Sequence, residues 1–193
     1  IMMIPIFNFA AFGYLVRVIQ NVKTGHDVPL PEWDSFGEYF MDGVKLFVGF
    51  LVYSLPVLLV ACVVVGATIV LAGAAENSNM NPDTVMPFLI LCMQCGIFIF
   101  ALIPMIFAPA IFIRFAETGE IGAMLQFGKV FEIIQTNLTN YVIVLLLSGA
   151  VLYFIAPLGV IACLIGAIFT QWWGYLVFAH LTGQLMKEAT VSI

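Results

Sequence analysis

The run from Tyr141 to Leu181 holds 41 residues without a single Asp, Glu, Lys or Arg. As one α-helix, at about 1.5 Å per residue, it would be roughly twice as long as the ~30 Å hydrocarbon core of a bilayer is thick. The chain must therefore cross, turn and cross again. The break is best placed at Pro157-Leu158-Gly159, where proline removes a backbone donor and glycine tolerates a tight turn.

Residues 1 to 18, 44 to 73 and 87 to 114 are runs on the scale of about 20 apolar residues that one crossing needs. With the two halves of the 141 to 181 run they give about five visible spans. Composition agrees: 63% of the residues are hydrophobic and 9% charged, against roughly 45–50% and about 25% in soluble domains. The expected fold is all-α, a polytopic transmembrane helical bundle forming a single membrane domain over residues 1–193. Such a bundle packs by van der Waals fit and interhelical hydrogen bonds. The first residues, Ile1-Met2-Met3-Ile4-Pro5, lack the charged n-region of a signal peptide. The natural chain is expected to begin upstream, with the first span truncated here.

These spans place Arg17, Lys23, Lys45, Arg114, Lys129 and Lys187 on one side, while the loop 74–86 opposite holds Glu76 and Asp83 and no Lys or Arg. Basic residues in short loops mark the cytoplasmic face. Loops 19–43 and 115–139 and the C-terminus are therefore expected in the cytoplasm, with loop 74–86 across a prokaryotic inner membrane, cytoplasmic or intracytoplasmic. The net charge of -5 rests on few residues and gives no nucleic-acid role.

Two parts of the chain carry the same signals in the same order. Ile4-Pro5, Arg17, Thr24-Gly25 and Phe36-Gly37-x-x-Phe40 precede one long span; Ile103-Pro104, Arg114, Thr118-Gly119 and Phe127-Gly128-x-x-Phe131 precede another. Each block reads span, basic stop, cytoplasmic amphipathic segment, span. This suggests a parallel internal repeat, with copies at 1–73 and 87–184, its axis along the membrane normal.

The stretch Val28-Pro29-Leu30-Pro31-Glu32-Trp33-Asp34 belongs to the first copy only. Its prolines hold the chain extended, and Ser35 with Glu38 three residues later forms a capping-box signature. Phe36, Tyr39, Phe40 and Val44 then recur at helical spacing, which predicts an interfacial helix lying along the headgroups before the chain dives. Trp33 would anchor at that interface. The leading reading is an entry device. A second is a docking surface for a partner made of Glu32, Trp33, Asp34, Phe36, Tyr39 and Phe40. A third, a catalytic carboxylate pair, needs a pocket and a perturbed acid that a surface loop does not offer by default.

Gly13-Tyr14-Leu15-Val16-Arg17, Leu30-Pro31-Glu32-Trp33-Asp34, and Asp42-Gly43 with Lys45 leading into a long span together resemble the signature of an uncharacterised family of bacterial and archaeal polytopic membrane proteins, a domain of unknown function. The resemblance covers most of the chain, its specific part residues 13 to 45. It implies a multi-span helical protein and brings no activity, substrate or catalytic residue.

Ionisable groups inside spans are functional candidates because burying them in lipid is costly, and here Asp and Glu are absent from the spans. His180 is the intramembrane titratable group besides cysteine and tyrosine. It can ligate a metal or the magnesium of a pigment, but a lone histidine is more often a hydrogen-bonding residue. Cys92-Met93-Gln94-Cys95 has neither a second cysteine pair nor a supporting histidine, whereas a structural zinc site wants four ligands; core packing is the expectation for it and for Cys62 and Cys163. Gln94, Gln171, Asn8, Ser54, Ser148, Thr68 and Thr170 suit interhelical hydrogen bonds. Gln171-Trp172-Trp173 is the densest polar and aromatic cluster, read as lipid-facing or core. Pro56, Pro104, Pro109 and Pro157 bend their spans, and no clean Gly-x-x-x-Gly face stands out. No phosphate loop, activated nucleophile or metal spacing supports an enzyme.

The function expected from these features is a non-enzymatic accessory or scaffolding subunit that packs with other integral membrane proteins or with lipid. The alternative is a small transporter or lipid-handling protein with a site between the repeat copies. Bound lipid is expected; no metal or other cofactor is, with a pigment at His180 as the special case.

Overall fold

A computed structural model describes residues 5–76 and 82–191, which are helical or in short connections, with no strand among them. In chain order the elements are α1 (Pro5–Thr24), α2 (Phe36–Glu76), α3 (Pro82–Thr118), α4 (Ile121–Met124), α5 (Phe127–Thr136) and α6 (Leu138–Ala150). A π-helical turn (Val151–Ile155), a 3-10 stretch (Ala156–Ala162) and α7 (Cys163–Val191) complete the chain. Most of the sequence-read loop 74–86 is taken up by the ends of α2 and α3, and residues 77–81 lie outside the described residues, as does Ile4 of the first repeat signature.

Three helical stretches among the described residues are long and apolar enough to cross a membrane: Phe36–Ala74, Met93–Thr118 and Leu138–Ile161. They correspond to the second, third and fourth spans read from sequence. The first and fifth fall on α1 and α7, which are outside that set. α1 carries Arg17, Gln20, Asn21 and Lys23 in its second half, and α7 carries Thr170, Gln171, His180, Thr182 and Gln184.

The structure divides into two compact units, residues 1–49 with 107–193, and residues 50–106. The first is a helical cluster with α1 inside it. Tyr14, Leu15, Val18 and Ile19 are buried on α1, alongside Leu46 of α2, Ile111 and Phe115 of α3, and Leu185 and Met186 of α7. α1 and α7 meet where Gly183 lies against Val22 and the carbonyl of Ile19. The second unit holds the rest of α2 and of α3, with Leu59, Val63, Ile69 and Val70 of α2 and Leu91 and Phe98 of α3 exposed. A helix that is apolar all round is suited to lipid or to the interior of a larger assembly.

Two expectations need correction. The segment after Ser35 is not a separate interfacial helix: it forms the first turns of α2, which continues without interruption to Glu76. The Ser35 carbonyl accepts from the amides of Glu38 and Tyr39 at 3.0 and 3.1 Å, and the helix runs on through Gly43, which packs against the Phe9 carbonyl. After the second of the two sequence blocks' Thr-Gly pairs a separate amphipathic helix does form, α5. It exposes Phe127 and Phe131 and buries Val130.

The second correction concerns the turn in the 141 to 181 run. Pro157-Leu158-Gly159 lies within the 3-10 stretch and is not a tight turn. Chain reversal follows from the Thr170 hydroxyl donating to the Ala156 carbonyl at 2.6 Å, two groups that would be about 21 Å apart along a straight helix. Gly159 permits close approach: a methyl there would overlap the Thr170 hydroxyl. Pro56, Pro104 and Pro109 all lie inside continuous helix.

Candidate functional site

Two glycines draw α1 and α2 together. A methyl on Gly13 would overlap the carbonyl of Tyr39, and one on Gly43 would overlap the carbonyl of Phe9. Each glycine faces the residue four positions from the other, so one antiparallel crossing is served from both sides. Small residues that let backbones touch are the usual basis of helix packing in membranes.

The Pro-Glu-Trp-Asp loop closes over this crossing. Trp33 stacks on Tyr14 with centroids 4.4 Å apart and planes at 12°. It meets Tyr39 edge-on at 6.0 Å and Trp172 of α7 at 6.2 Å. The Tyr39 hydroxyl donates to the Glu32 carbonyl at 2.8 Å, and the Asn21 amide donates to the Pro29 carbonyl at 3.0 Å. Aromatic pairs of this kind contribute about 0.5–1.5 kcal/mol each beyond area burial. The loop is thus clamped to the bundle at Pro29, Glu32 and Trp33.

Charges gather beside it. Arg17 reaches Glu38 at 3.2 Å and Asp42 at 3.8 Å; Asp42 in turn pairs with Lys45 at 3.5 Å. Lys45 also donates to the Gly119 carbonyl at the end of α3, and the Gln20 amide donates to the Ala116 carbonyl at 2.8 Å. The ends of α1 and α3 and the start of α2 therefore meet, bringing Arg17 and Lys45 to one end of this unit.

The two sequence signatures have matching local geometry. α1 stops at Thr24-Gly25 and α3 at Thr118-Gly119, with glycine φ of 75° and 69°. Each threonine hydroxyl donates to the carbonyl four residues back at 3.0 Å. Positive φ is the usual glycine-assisted helix stop. Arg17 bonds Gln20 three residues on and then Glu38 in the first turn of α2. Arg114 bonds Glu117 three residues on and then Gln126, which caps α5. Phe36 and Phe127 each open the following helix.

The predicted docking residues divide between interior and surface. Tyr39 is buried. Phe40 is half-buried and edge-on to Phe9; Phe36 is partly exposed and edge-on to Phe7. Glu32, Asp34 and the outer face of Trp33 remain exposed. His180 is exposed, its Nε2 3.0 Å from the Gln184 amide nitrogen. Among the described residues no group of three or more His, Cys, Asp or Glu is placed to hold a metal. Cys62 and Cys95 are free and exposed. Ser54, Thr68 and Ser148 bond to carbonyls of their own helices; Thr170 crosses to Ala156. Trp172 joins the loop cluster, and Trp173 is exposed.

Sequence reading passed over a cavity of about 290 Å³ between the end of α3, α5 and the end of α7, whose lining includes Arg114, Glu117, Lys129, Glu132, Thr136 and Asn137. Arg114 pairs with Glu117 at 2.9 Å and Lys129 with Glu132 at 3.1 Å. Arg114 Nε and Asn137 Nδ2 are both buried without a hydrogen-bond partner among the described residues. Lone Asn and Thr residues in a loop gave no signal for such a site.

Described residues that are all helix and short connection, three helical stretches among them fit to cross a membrane, and a loop clamped by aromatic residues at a charged helix junction are the build of a membrane protein. More particularly, the chain belongs to the family described as protein of unknown function DUF4013, whose model matches residues 1–169. No curated protein and no solved structure matches it.

Proposed function

We propose that the protein is a non-enzymatic, multi-pass accessory or scaffolding subunit of a prokaryotic inner membrane, packing its apolar helices against other integral membrane proteins and lipid. The observation that carries this reading is the α2 span Phe36–Ala74, whose most apolar stretch has no buried residue. Residues Phe50–Glu76 alone would extend about 40 Å as a helix, enough to present a full membrane thickness to neighbours. The clamped loop supplies an entry device and leaves Glu32, Asp34 and the outer face of Trp33 as a small docking rim.

In this reading α1 and α7 cross with the other three, giving five spans. The two Thr-Gly stops and the two Arg bridges are the remains of a parallel duplication, with loops 19–43 and 115–139 in the cytoplasm. Lipid is the ligand class, and His180 holds neither pigment nor metal. A second reading, a lipid-handling protein, is favoured by the polar cavity at Arg114 and Asn137.

Gentle extraction from the native membrane followed by native mass determination separates the two. Other subunits at fixed stoichiometry are the outcome expected of a scaffold. A lone chain or small homo-oligomer carrying lipid would instead support the lipid-handling reading.

A further inference from the structure

We infer that α5 is a membrane-surface anchor: Phe127, Phe131 and Ile134 insert into the headgroup and acyl boundary of the leaflet where α6 begins, held by apolar burial and without selection for lipid charge. This placement goes beyond the scaffolding reading and needs only that α6 crosses the membrane.

The residues of α5 sort by angle. Phe127, Phe131 and Ile134 recur at intervals of four and three, which puts them on one stripe of the helix. Lys129, Glu132, Ile133 and Thr136 line the cavity against the ends of α3 and α7, and at about 100° per residue they centre on the opposite side of α5. The stripe therefore points away from α3 and α7. Phe127 and Phe131 are 57% and 50% exposed, so this outward side is aromatic while the side toward the protein is polar and charged.

Continuity with α6 selects lipid as the occupant of that stripe. A single residue, Asn137, separates the two helices, its backbone non-helical at φ -124° and ψ 38°. α6 opens the apolar stretch Leu138–Ile161, and its exposed Leu138, Val142 and Leu146 continue the apolar surface at intervals of four. Those 24 residues extend about 36 Å as helix, already enough for the ~30 Å hydrocarbon core. α5 is thus left at the surface, one residue from the point where the chain enters lipid. Lys129 and Glu132 keep its other side in water, because charge is costly at depth. They pair at 3.1 Å and are the only charged residues of α5. With no net charge to draw anionic lipid, attachment scales with the apolar area that the stripe buries.

The test uses the whole chain in liposomes, cysteine-free but for one nitroxide-labelled cysteine at a time, with depth read from collisions with oxygen and with a water-soluble nickel chelate. Phe131→Cys is expected about 5–10 Å into the headgroup and acyl boundary, and Lys129→Cys about 10 Å nearer water, the width of a helix. Exchanging phosphatidylglycerol for phosphatidylcholine, or adding salt, should shift neither. A Phe131→Cys label open to nickel overturns the placement. So does one shielded from nickel and oxygen alike, which puts a protein neighbour or a second copy on the stripe. A depth that follows lipid charge overturns attachment by apolar burial alone. Phe127→Cys gives the same reading should Phe131→Cys misfold. Leu146→Cys on α6 separates two failures: if it contacts oxygen while Phe131→Cys stands in water, only α5 is misplaced, and if both stand in water, the span itself fails.

Discussion

Gly13 and Gly43 serve one helix crossing from opposite sides: each lies where a methyl would overlap a backbone carbonyl of the other's helix, Tyr39 for Gly13 and Phe9 for Gly43. Because the obstacle is backbone, no side chain can rotate away to make room. Gly13→Ala or Gly43→Ala is expected to lower stability by about 1–3 kcal/mol or more, the usual cost of overpacking. Gly37→Ala, with open space around it, should be nearly neutral. Thermal unfolding in detergent compares the three, and equal behaviour of Gly13→Ala and Gly37→Ala would remove the crossing from the account.

Trp33 is held by Tyr14, Tyr39 and Trp172. Trp33→Ala should release the loop and cost about 1–3 kcal/mol for two or three aromatic pairs, whereas Trp33→Phe keeps most of the stack. Limited proteolysis between Val28 and Asp34 reads the release: faster cleavage in Trp33→Ala than in Trp33→Phe is expected, and equal rates would mean that the loop is held without its tryptophan. Glu32→Ala with Asp34→Ala leaves the clamp intact, since Glu32 acts through its carbonyl. A loss of partner co-purification in that double variant alone would mark the exposed rim as the docking surface.

The long apolar runs were legible because lipid demands a simple pattern, and α2, α3 and α6 follow it. Thr24-Gly25 and Thr118-Gly119 were legible as a recurring pair but not as the helix ends they form, since the apolar runs stop at 18 and 114 and the helices continue to Thr24 and Thr118. The reciprocal glycines were not legible, because Gly13 and Gly43 lie on different helices and a search for Gly-x-x-x-Gly examines one. Tyr39 and Phe40 looked like a contact face from helical spacing alone; only the crossing shows that they pack inward. The cavity at Arg114 and Asn137 was hidden for the same reason: its residues come from α3, α5 and the junction before α6, and their pairing is tertiary.

Thr170 joins the two arms of the 141 to 181 hairpin by donating to the Ala156 carbonyl. The same hydroxyl lies 3.0 and 3.2 Å from the Gly166 and Ala167 carbonyls of its own helix, and the shorter contact at 2.6 Å is the one that crosses to Ala156. Thr170→Val removes that donor while keeping the shape. Interhelical bonds in membranes are worth about 0.6 kcal/mol on average and at most about 1.7, so a loss in that range is expected. Thr68→Val removes a hydroxyl that bonds within its own helix and should change unfolding less. Equal effects would show that the Ala156 bond does not hold the hairpin.

The side of the membrane on which the clamped loop lies follows from where the cations gather. Arg17 and Lys45 meet at one end of their unit through Asp42, Arg114 and Lys129 line one cavity, and the Lys187 ammonium lies 4.0 Å from where a Gly25 side chain would begin. Short-loop cations stay in the cytoplasm. In a cysteine-free background, Asp34→Cys should react with a membrane-impermeant maleimide only in inside-out vesicles, and a cysteine at position 80 only in right-side-out ones. Labelling of both from the same side would require α2 to enter and leave through one face, and the five-span arrangement would fall with it. If Asp34→Cys labels only from outside while position 80 labels only from inside, the spans stand but the orientation is inverted, and the cavity at Arg114 would then face the outer leaflet.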